Sequence, residues 1–348
     1  MTTTNDVVDW RLGASLYERS RKFVLDQAAG RSVHLLELDA KKEVGSKRSI
    51  PKPTFLFVHG SMASMAQFFP AAAALNMGLK DAPSSSSGFG VVAYDWLGCG
   101  RSPKPQDWDA YAWSALYRDL EAIYERTVSR VSGKIVVVAH SYGTHLAMRL
   151  ALAQIDKSKG APSGCDKFGG LVLLGGSLAT LNGGLPLFRL PVFVLDYIQP
   201  WLTSAFIRSA FEETSPPELL ASQEASSNAN AMHVCKAYYR QVQGLSEVDI
   251  HRLGNSVVSS NSSSSNSSEG APESMAEHRP AIPVWLMHGN SDAVLPIAGA
   301  ESLHSAIGPA AQGNIRVVQG GSHNFIIERP AELVELLLEV AAAVERGS

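Results

Sequence analysis

The sequence predicts an α/β protein with a mostly parallel central sheet, helices on both faces and an inserted helical cap. Three observations carry this. Short β-rich runs recur with helical stretches between them, and several of those runs are apolar throughout, as parallel strands covered on both faces must be. The alternation then stops between about residues 179 and 280, where only helical-looking segments occur. With 348 residues the chain can bury a large core, and a prior of about 150 residues per domain admits one enlarged domain or two small ones.

Taken in order, residues 1–30 read as an N-terminal extension. The strands of a first core segment, 31–178, are "VHLLEL" (33–38), "TFLFVH" (54–59), "GVVAYD" (90–95), "KIVVVAH" (134–140) and "GLVLLG" (170–175). Between them, "DWDAYAWSALYRDLEAIYERTVSR" and "YGTHLAMRLALAQI" carry helical apolar spacing. Residues 179–280 read as the cap, built from "GGLPLFRLPVFVLDYIQPWLTSAFIRSAF", "PPELLASQEA" and "NANAMHVCKAYYRQV". From 190 to 207 the only charge is Asp196, but Pro191 and Pro200 are expected to interrupt the run, which argues against a spanning helix. Two serine-rich stretches, "APSSSSGFG" (82–90) and the longer "NSVVSSNSSSSNSSEGAPES" (255–274), cannot bury enough apolar surface to order themselves. The sequons at Asn261 and Asn266 read as accidents of that composition. A second core segment, 281–348, supplies "VWLMHG" (284–289), "NIRVVQ" (314–319) and the helix "RPAELVELLLEVAAAVER", with Pro330 placed to start it.

Charge and cysteine usage narrow the function. Thirty Lys+Arg against 33 Asp+Glu give a net charge of −3, which offers no electrostatic footprint for nucleic acid or an anionic membrane. A small-molecule partner is expected. Cys99, Cys165 and Cys235 are odd in number and far apart, which fits neither a disulfide framework nor a CxxC pair and suits a reducing compartment. The opening "MTTTNDVVDWRLGASLYERSRKF" has no basic stretch followed by an apolar core, so neither a leader nor a transmembrane segment is expected and a cytoplasmic location is. The apolar cap leaves peripheral membrane contact open.

One corner of the chain suggests chemistry. In "VVVAHSYGTHLAMRLA" a serine stands between an apolar strand and a helix, and "A139-H140-S141-Y142-G143" matches the nucleophile elbow G-x-S-x-G except for Ala139 at the first glycine. A serine capping a βα junction would look similar, so the partners decide. A serine hydroxyl needs an adjacent base. Of ten histidines, His59 and His140 sit at strand ends and His145 on the following helix, whereas His323 lies in a glycine-rich loop between the last strand and last helix. The base in turn needs a carboxylate to hold its tautomer. No acid follows "GLVLLG" before Asp196, but "NSDAVLP" after "VWLMHG" offers Asp292, with Glu301 further downstream. The order Ser141, Asp292, His323 is the one expected for this kind of sheet. An oxyanion needs two N–H donors; Tyr142 supplies one, and the "FVHGSMAS" loop the other, from Ser61 or, as second choice, Met62.

The segments "VHGSMAS", "YDWLGCGRSPKP", "AHSYG", "HGNSDAVLP" and "GGSHNF" together resemble the α/β-hydrolase fold superfamily across residues 54 to 345, apart from the cap and serine-rich insert. Within it, "HSYGTHLAMRLA", "LLGGS" and "FRLPVFVLDYIQPWL" look most like the abhydrolase-domain-containing proteins of the eighth-member-like subgroup. The resemblance implies action on ester or amide bonds, often of lipids. Some acyl-transferring relatives carry His-x4-Asp at the catalytic histidine; here Glu328 stands at that spacing, which weakens a transferase reading. Relatives that open epoxides use an aspartate nucleophile, and Ser141 stands in its place.

"WLGCGRSP" is a lone G-x-G cut off by Pro103 and reads as a structural turn; there is no P-loop, no H-E-x-x-H and no Cys/His ligand set, so no cofactor or metal is expected. The reading is a serine hydrolase of carboxylesterase or lipase type, acting on a hydrophobic small-molecule ester through an acyl-enzyme on Ser141. Tyr197, Trp201 and Phe206, with Phe188 and Phe193, are expected to line the substrate site, or else to pack the cap on the core. The alternatives are a non-catalytic binding or scaffold protein on the same fold, and an acyltransferase.

Overall fold

Strand alternation in an apolar run needs both faces covered, and the central strands show it. Val136 and Val138 join one buried cluster while Ile135, Val137 and Ala139 join the other, and Phe55 and Phe57 are likewise separated from Leu56 and Val58. The computed structural model describes residues 8–41, 51–78, 87–158, 167–178, 186–254 and 282–347. Cys165, the sequons and the 255–274 insert lie outside the described residues, as does most of 82–90.

Among the described residues, eight strands form one sheet: β1 (Arg21–Asp26), β2 (Arg31–Leu38), β3 (Thr54–Val58), β4 (Gly90–Asp95), β5 (Ile135–His140), β6 (Phe168–Leu174), β7 (Val284–Gly289) and β8 (Arg316–Val318), in the order β1-β2-β4-β3-β5-β6-β7-β8. β1 and β2 pair antiparallel, as do β2 and β4; the remaining neighbours are parallel. The sheet therefore begins inside the segment read as an N-terminal extension. β1, "RKFVLD", escapes detection because it is a charged edge strand with no buried residue. Its Phe23 is instead covered by the Arg126 guanidinium at 4.6 Å.

Among the described residues, ten α-helices accompany this sheet: α1 (Phe69–Met77), α2 (Trp113–Arg130), α3 (Gly143–Ser158), α4 (Val192–Ala210), α5 (Pro217–Asn228), α6 (Met232–Gln241), α7 (Glu247–Gly254), α8 (Ile297–Ile307), α9 (Phe325–Glu328) and α10 (Pro330–Arg346). Leu116, Leu120 and Ile123 of α2, Leu146 and Leu150 of α3 and Leu303 of α8 bury against one face. Ala71 to Leu75 of α1 and Leu333, Leu337 and Val340 of α10 bury against the other. The helices α4 to α7 lie in chain order between β6 and β7.

Pro191 precedes α4 as expected, but the helix runs on through Pro200. A proline removes the bond to the carbonyl four residues back. Here that carbonyl belongs to Asp196, which like Pro200 is exposed, so water can take up the lost bond. Among the described residues no helix is long and apolar enough to cross a membrane.

Candidate active site

The strand β5 delivers Ser141 into a tight turn at φ 52°, a left-handed conformation that costs a non-glycine residue about 1–3 kcal/mol and persists only where its surroundings enforce it. They do so with three bonds. The Ser141 N–H donates to Leu174 O at 2.9 Å, and Ser141 O accepts the N–H of Thr144 at 3.0 Å and its hydroxyl at 2.6 Å. The turn presses against the end of β3: a Cβ on Gly143 would stand 2.6 Å from His59 O, so only glycine fits there. Ala139, where the motif carries glycine, is fully buried between Val58 and Leu173, so its methyl is accommodated.

Two loops bring the expected partners to this serine. The turn after β7 carries Asp292 and the turn after β8 carries His323, and both are buried. His323 Nε2 lies 2.9 Å from Ser141 Oγ, and His323 Nδ1 lies 2.7 Å from Asp292 Oδ2. The second Asp292 oxygen, Oδ1, accepts the backbone N–H groups of Val294 (2.8 Å) and Leu295 (2.7 Å). Burial by itself would raise the Asp292 pKa, but the hydrogen bond and charge of His323, the Leu295 N–H and the nearby His288 together hold it below the usual aspartate value. An ionised Asp292 accepts the Nδ1–H of His323, leaving Nε2 free to accept the serine proton. Glu301, the other acid weighed for this role, is exposed on α8.

Around this line sit buried neutral imidazoles. His140 donates from Nε2–H to the carbonyl of His323 at 2.9 Å; burial, then the neighbouring His323, pushes its pKa down to about 3. His59 donates from Nδ1–H to Gly60 O (2.7 Å) and accepts the Trp96 N–H at Nε2 (2.9 Å), and burial lowers its pKa to about 4. Both are strand-end residues that fix backbone near Ser141. The loop after β3 lies against the elbow, since a Cβ on Gly60 would stand 3.1 Å from Ser141 Cβ. Among the described residues, the backbone N–H groups of Ser61, Met62 and Tyr142 have no protein acceptor. Met62 is held at φ 56°, and its carbonyl accepts Asn230 Nδ2–H at 2.7 Å.

Sequence reasoning missed the cap residues nearest this loop. Asn230 reaches Met62, and Tyr239 places its hydroxyl 3.4 Å from Ser61 Oγ while stacking on Phe188 at 4.5 Å. Phe188, Leu195, Met232 and Cys235 make a small buried cluster that Met62 joins. The aromatics chosen from sequence behave differently. Tyr197 is 87% exposed, Trp201 66% and Phe206 42%, with Phe193 at 74%. Among the described residues these four α4 side chains stand exposed, whereas Phe188, chosen with them, is buried. Composition could not separate the two faces of a helix that is apolar nearly all round.

The turn "WLGCGRSP" closes around a carboxylate: Asp95 accepts the N–H groups of Met65 and Arg101, each at 2.8 Å, and a Cβ on Gly100 would collide with it. Among the described residues no group of three or more His, Cys, Asp or Glu side chains is placed to hold a metal ion.

Comparison with known proteins places the chain. The model of the Alpha/beta hydrolase family matches residues 55–336, and the chain belongs to that family. Protein ABHD8 of Mus musculus is 26% identical over 253 residues, which cover 72% of this chain and 48% of that protein. The chain thus spans about half the length of the curated relative it matches. Among solved structures, an esterase from Exiguobacterium antarcticum superimposes with a TM-score of 0.61 at 15% identity, covering 90% of this chain and 97% of its own. A bromoperoxidase from Bacillus anthracis gives 0.61 at 16% identity, covering 93% and 99%. At such identities these likenesses speak for the fold alone.

Proposed function

We propose that the protein is a serine hydrolase that cleaves a carboxylic ester through an acyl-enzyme on Ser141. The observation that carries this is the hydrogen-bonded line Ser141 Oγ, His323 Nε2, His323 Nδ1, Asp292 Oδ2, with spacings of 2.9 and 2.7 Å, set on a strained serine. In this reading His323 takes the Ser141 proton as Oγ attacks the ester carbonyl, and Asp292 stabilises the imidazolium that results. The uncommitted N–H groups of Ser61 and Tyr142 receive the oxyanion, with Met62 the second candidate for the first of them. Collapse of the tetrahedral species expels the alcohol with the proton from His323, and water deprotonated by the same nitrogen releases the acid.

An ester suits this machinery better than an amide, because an alkoxide leaving group needs less assistance than an amine. The Phe188 cluster beside the Ser61–Met62 loop supports a hydrophobic substituent on the substrate. The Exiguobacterium esterase shares the fold, which is compatible with this chemistry. Hydrolysis of p-nitrophenyl esters of graded acyl length tests the reading: kcat/KM should rise from acetate to at least hexanoate, by up to about 0.8 kcal/mol of transition-state binding for each methylene buried. A folded protein that hydrolyses none of them refutes it and leaves a binding or scaffold role.

A further inference from the structure

The catalytic-histidine loop and the end of the cap helix share one hydrogen-bonded junction. The last carbonyls of a helix have no partner within it. At the end of α4, Ala210 O accepts the backbone N–H of Asn324 (3.0 Å), the Asn324 side-chain N–H (3.2 Å) and the Ser322 hydroxyl (2.8 Å). The donors are thus the two residues that flank His323. Glu328 closes the junction from below. Its Oε2 accepts from the Ser322 hydroxyl at 2.5 Å, so that this single proton is shared with Ala210 O. Its Oε1 accepts the Glu212 N–H at 2.7 Å and also the Ser215 hydroxyl. Arg329 adds a two-pronged pair with Glu212, both arms at 2.9 Å. On the opposite side, His140 holds the His323 carbonyl.

We infer that Glu328 is a positioning residue: acting through Ser322, it sets His323 in register with Ser141 and ties that register to the docked end of the cap helix. An anchor that served only to hold the cap could fall anywhere on the core surface. This one falls on residues 322 and 324, so any slack in it moves the imidazole. The alternative, that Glu328 acts as an acid or base in acyl transfer, fits poorly. Its two oxygens receive three donors from the junction and none from Ser141 or His323.

The inference rests on the hydrolase reading, and the test keeps the two apart. Glu328→Ala and Glu328→Gln are made in the full chain and assayed with p-nitrophenyl acetate, with a fluorophosphonate probe and by hydrogen exchange. The Ala variant should lower both kcat and the fluorophosphonate labelling rate about 10- to 100-fold, the usual scale for a reacting group displaced by a fraction of an ångström to one ångström. Its KM should stay within about threefold, and residues 207–216 and 320–327 should exchange faster together. Glu328→Gln, which keeps one acceptor, should lose less. If the Ala variant does not fold, Ser322→Ala carries the same test, with an expected fall in kcat of about fivefold or more. Unchanged kcat in a folded Ala variant, or in Ser322→Ala, overturns the inference. So does a loss confined to acyl transfer onto added methanol with hydrolysis intact. A wild type that neither labels nor turns over removes the hydrolase reading, and the inference with it.

Discussion

Replacing Asp292 by asparagine changes little in shape, yet it should be among the most damaging substitutions in this chain. Asp292 Oδ1 faces two backbone N–H donors, from Val294 and Leu295, so the asparagine carbonyl must take that position. Its NH2 then points at His323 Nδ1, where the carboxylate oxygen had accepted a proton at 2.7 Å. Two donors cannot face each other, so Nδ1 must give up its proton and Nε2 must carry one. Nε2 then points an N–H at Ser141 Oγ and can no longer serve as a base. The same change in serine proteases lowers kcat by about 10⁴, which corresponds to about 5 kcal/mol of transition-state stabilisation. The assay is p-nitrophenyl butyrate hydrolysis beside thermal melting of both proteins. Because the Asp292 pKa is depressed on folding, its carboxylate stabilises the fold above the unfolded value of about 4, and this is lost as pH falls through the lower folded value. Asp292→Asn should therefore show a weaker acid dependence of Tm below about pH 4. A folded Asp292→Asn protein within tenfold of wild-type kcat, or a comparable loss from Glu301→Gln, refutes the reasoning.

Other consequences can be checked together. Gly143→Ala places a methyl 2.6 Å from His59 O and should cost at least about 1–3 kcal/mol, read as a lowered denaturation midpoint; an unchanged midpoint means that the elbow yields. Burial holds His59, His140 and His145 neutral, with folded pKa values of about 4, 3 and 4, so each takes up a proton on unfolding once pH falls below about 6.5. Asp95, raised by burial to about 6, opposes them by one proton. These four groups alone should lower the unfolding free energy near pH 5 by about 3 kcal/mol per pH unit as the solution is acidified, with His34 and His288, also lowered by burial, adding to the fall and Asp119, raised by burial, opposing it, and urea melts that are flat from pH 7 to 5 contradict this. Phe188→Ala should cost about 3 kcal/mol because the ring is buried and stacked on Tyr239, whereas Tyr197→Ala and Trp201→Ala should stay within about 0.5 kcal/mol and leave the acyl-length profile unchanged. A flattened length profile in either of the latter would restore them to the substrate site.

Much of this architecture was legible because local pattern and global position agree. Fully apolar runs such as "IVVVAH" can be satisfied only between two helical layers, and a serine at the end of one is conspicuous. Asp292 and His323 were singled out by the same logic of chain order and parallel-strand ends, and the fold brings both side chains into one hydrogen-bonded line with Ser141. The rest depended on contacts that no short window contains. β1 is a charged edge strand whose pairing partner, not its own pattern, makes it a strand. On α4 the sequence is apolar on nearly every face, so it could not say that Leu195 points inward and Tyr197 outward. The link from Glu328 to Ser215 spans 113 residues and concerns single polar atoms, for which periodicity carries no signal.

The central claim, that Ser141 is an activated nucleophile, is tested most directly by intact-mass spectrometry after incubation with a fluorophosphonate. The account predicts one adduct per chain, mapped to Ser141 by peptide analysis, and none on a Ser141→Ala protein of unchanged Tm. A folded wild-type protein that acquires no adduct, or a Ser141→Ala protein that is labelled equally well, contradicts it.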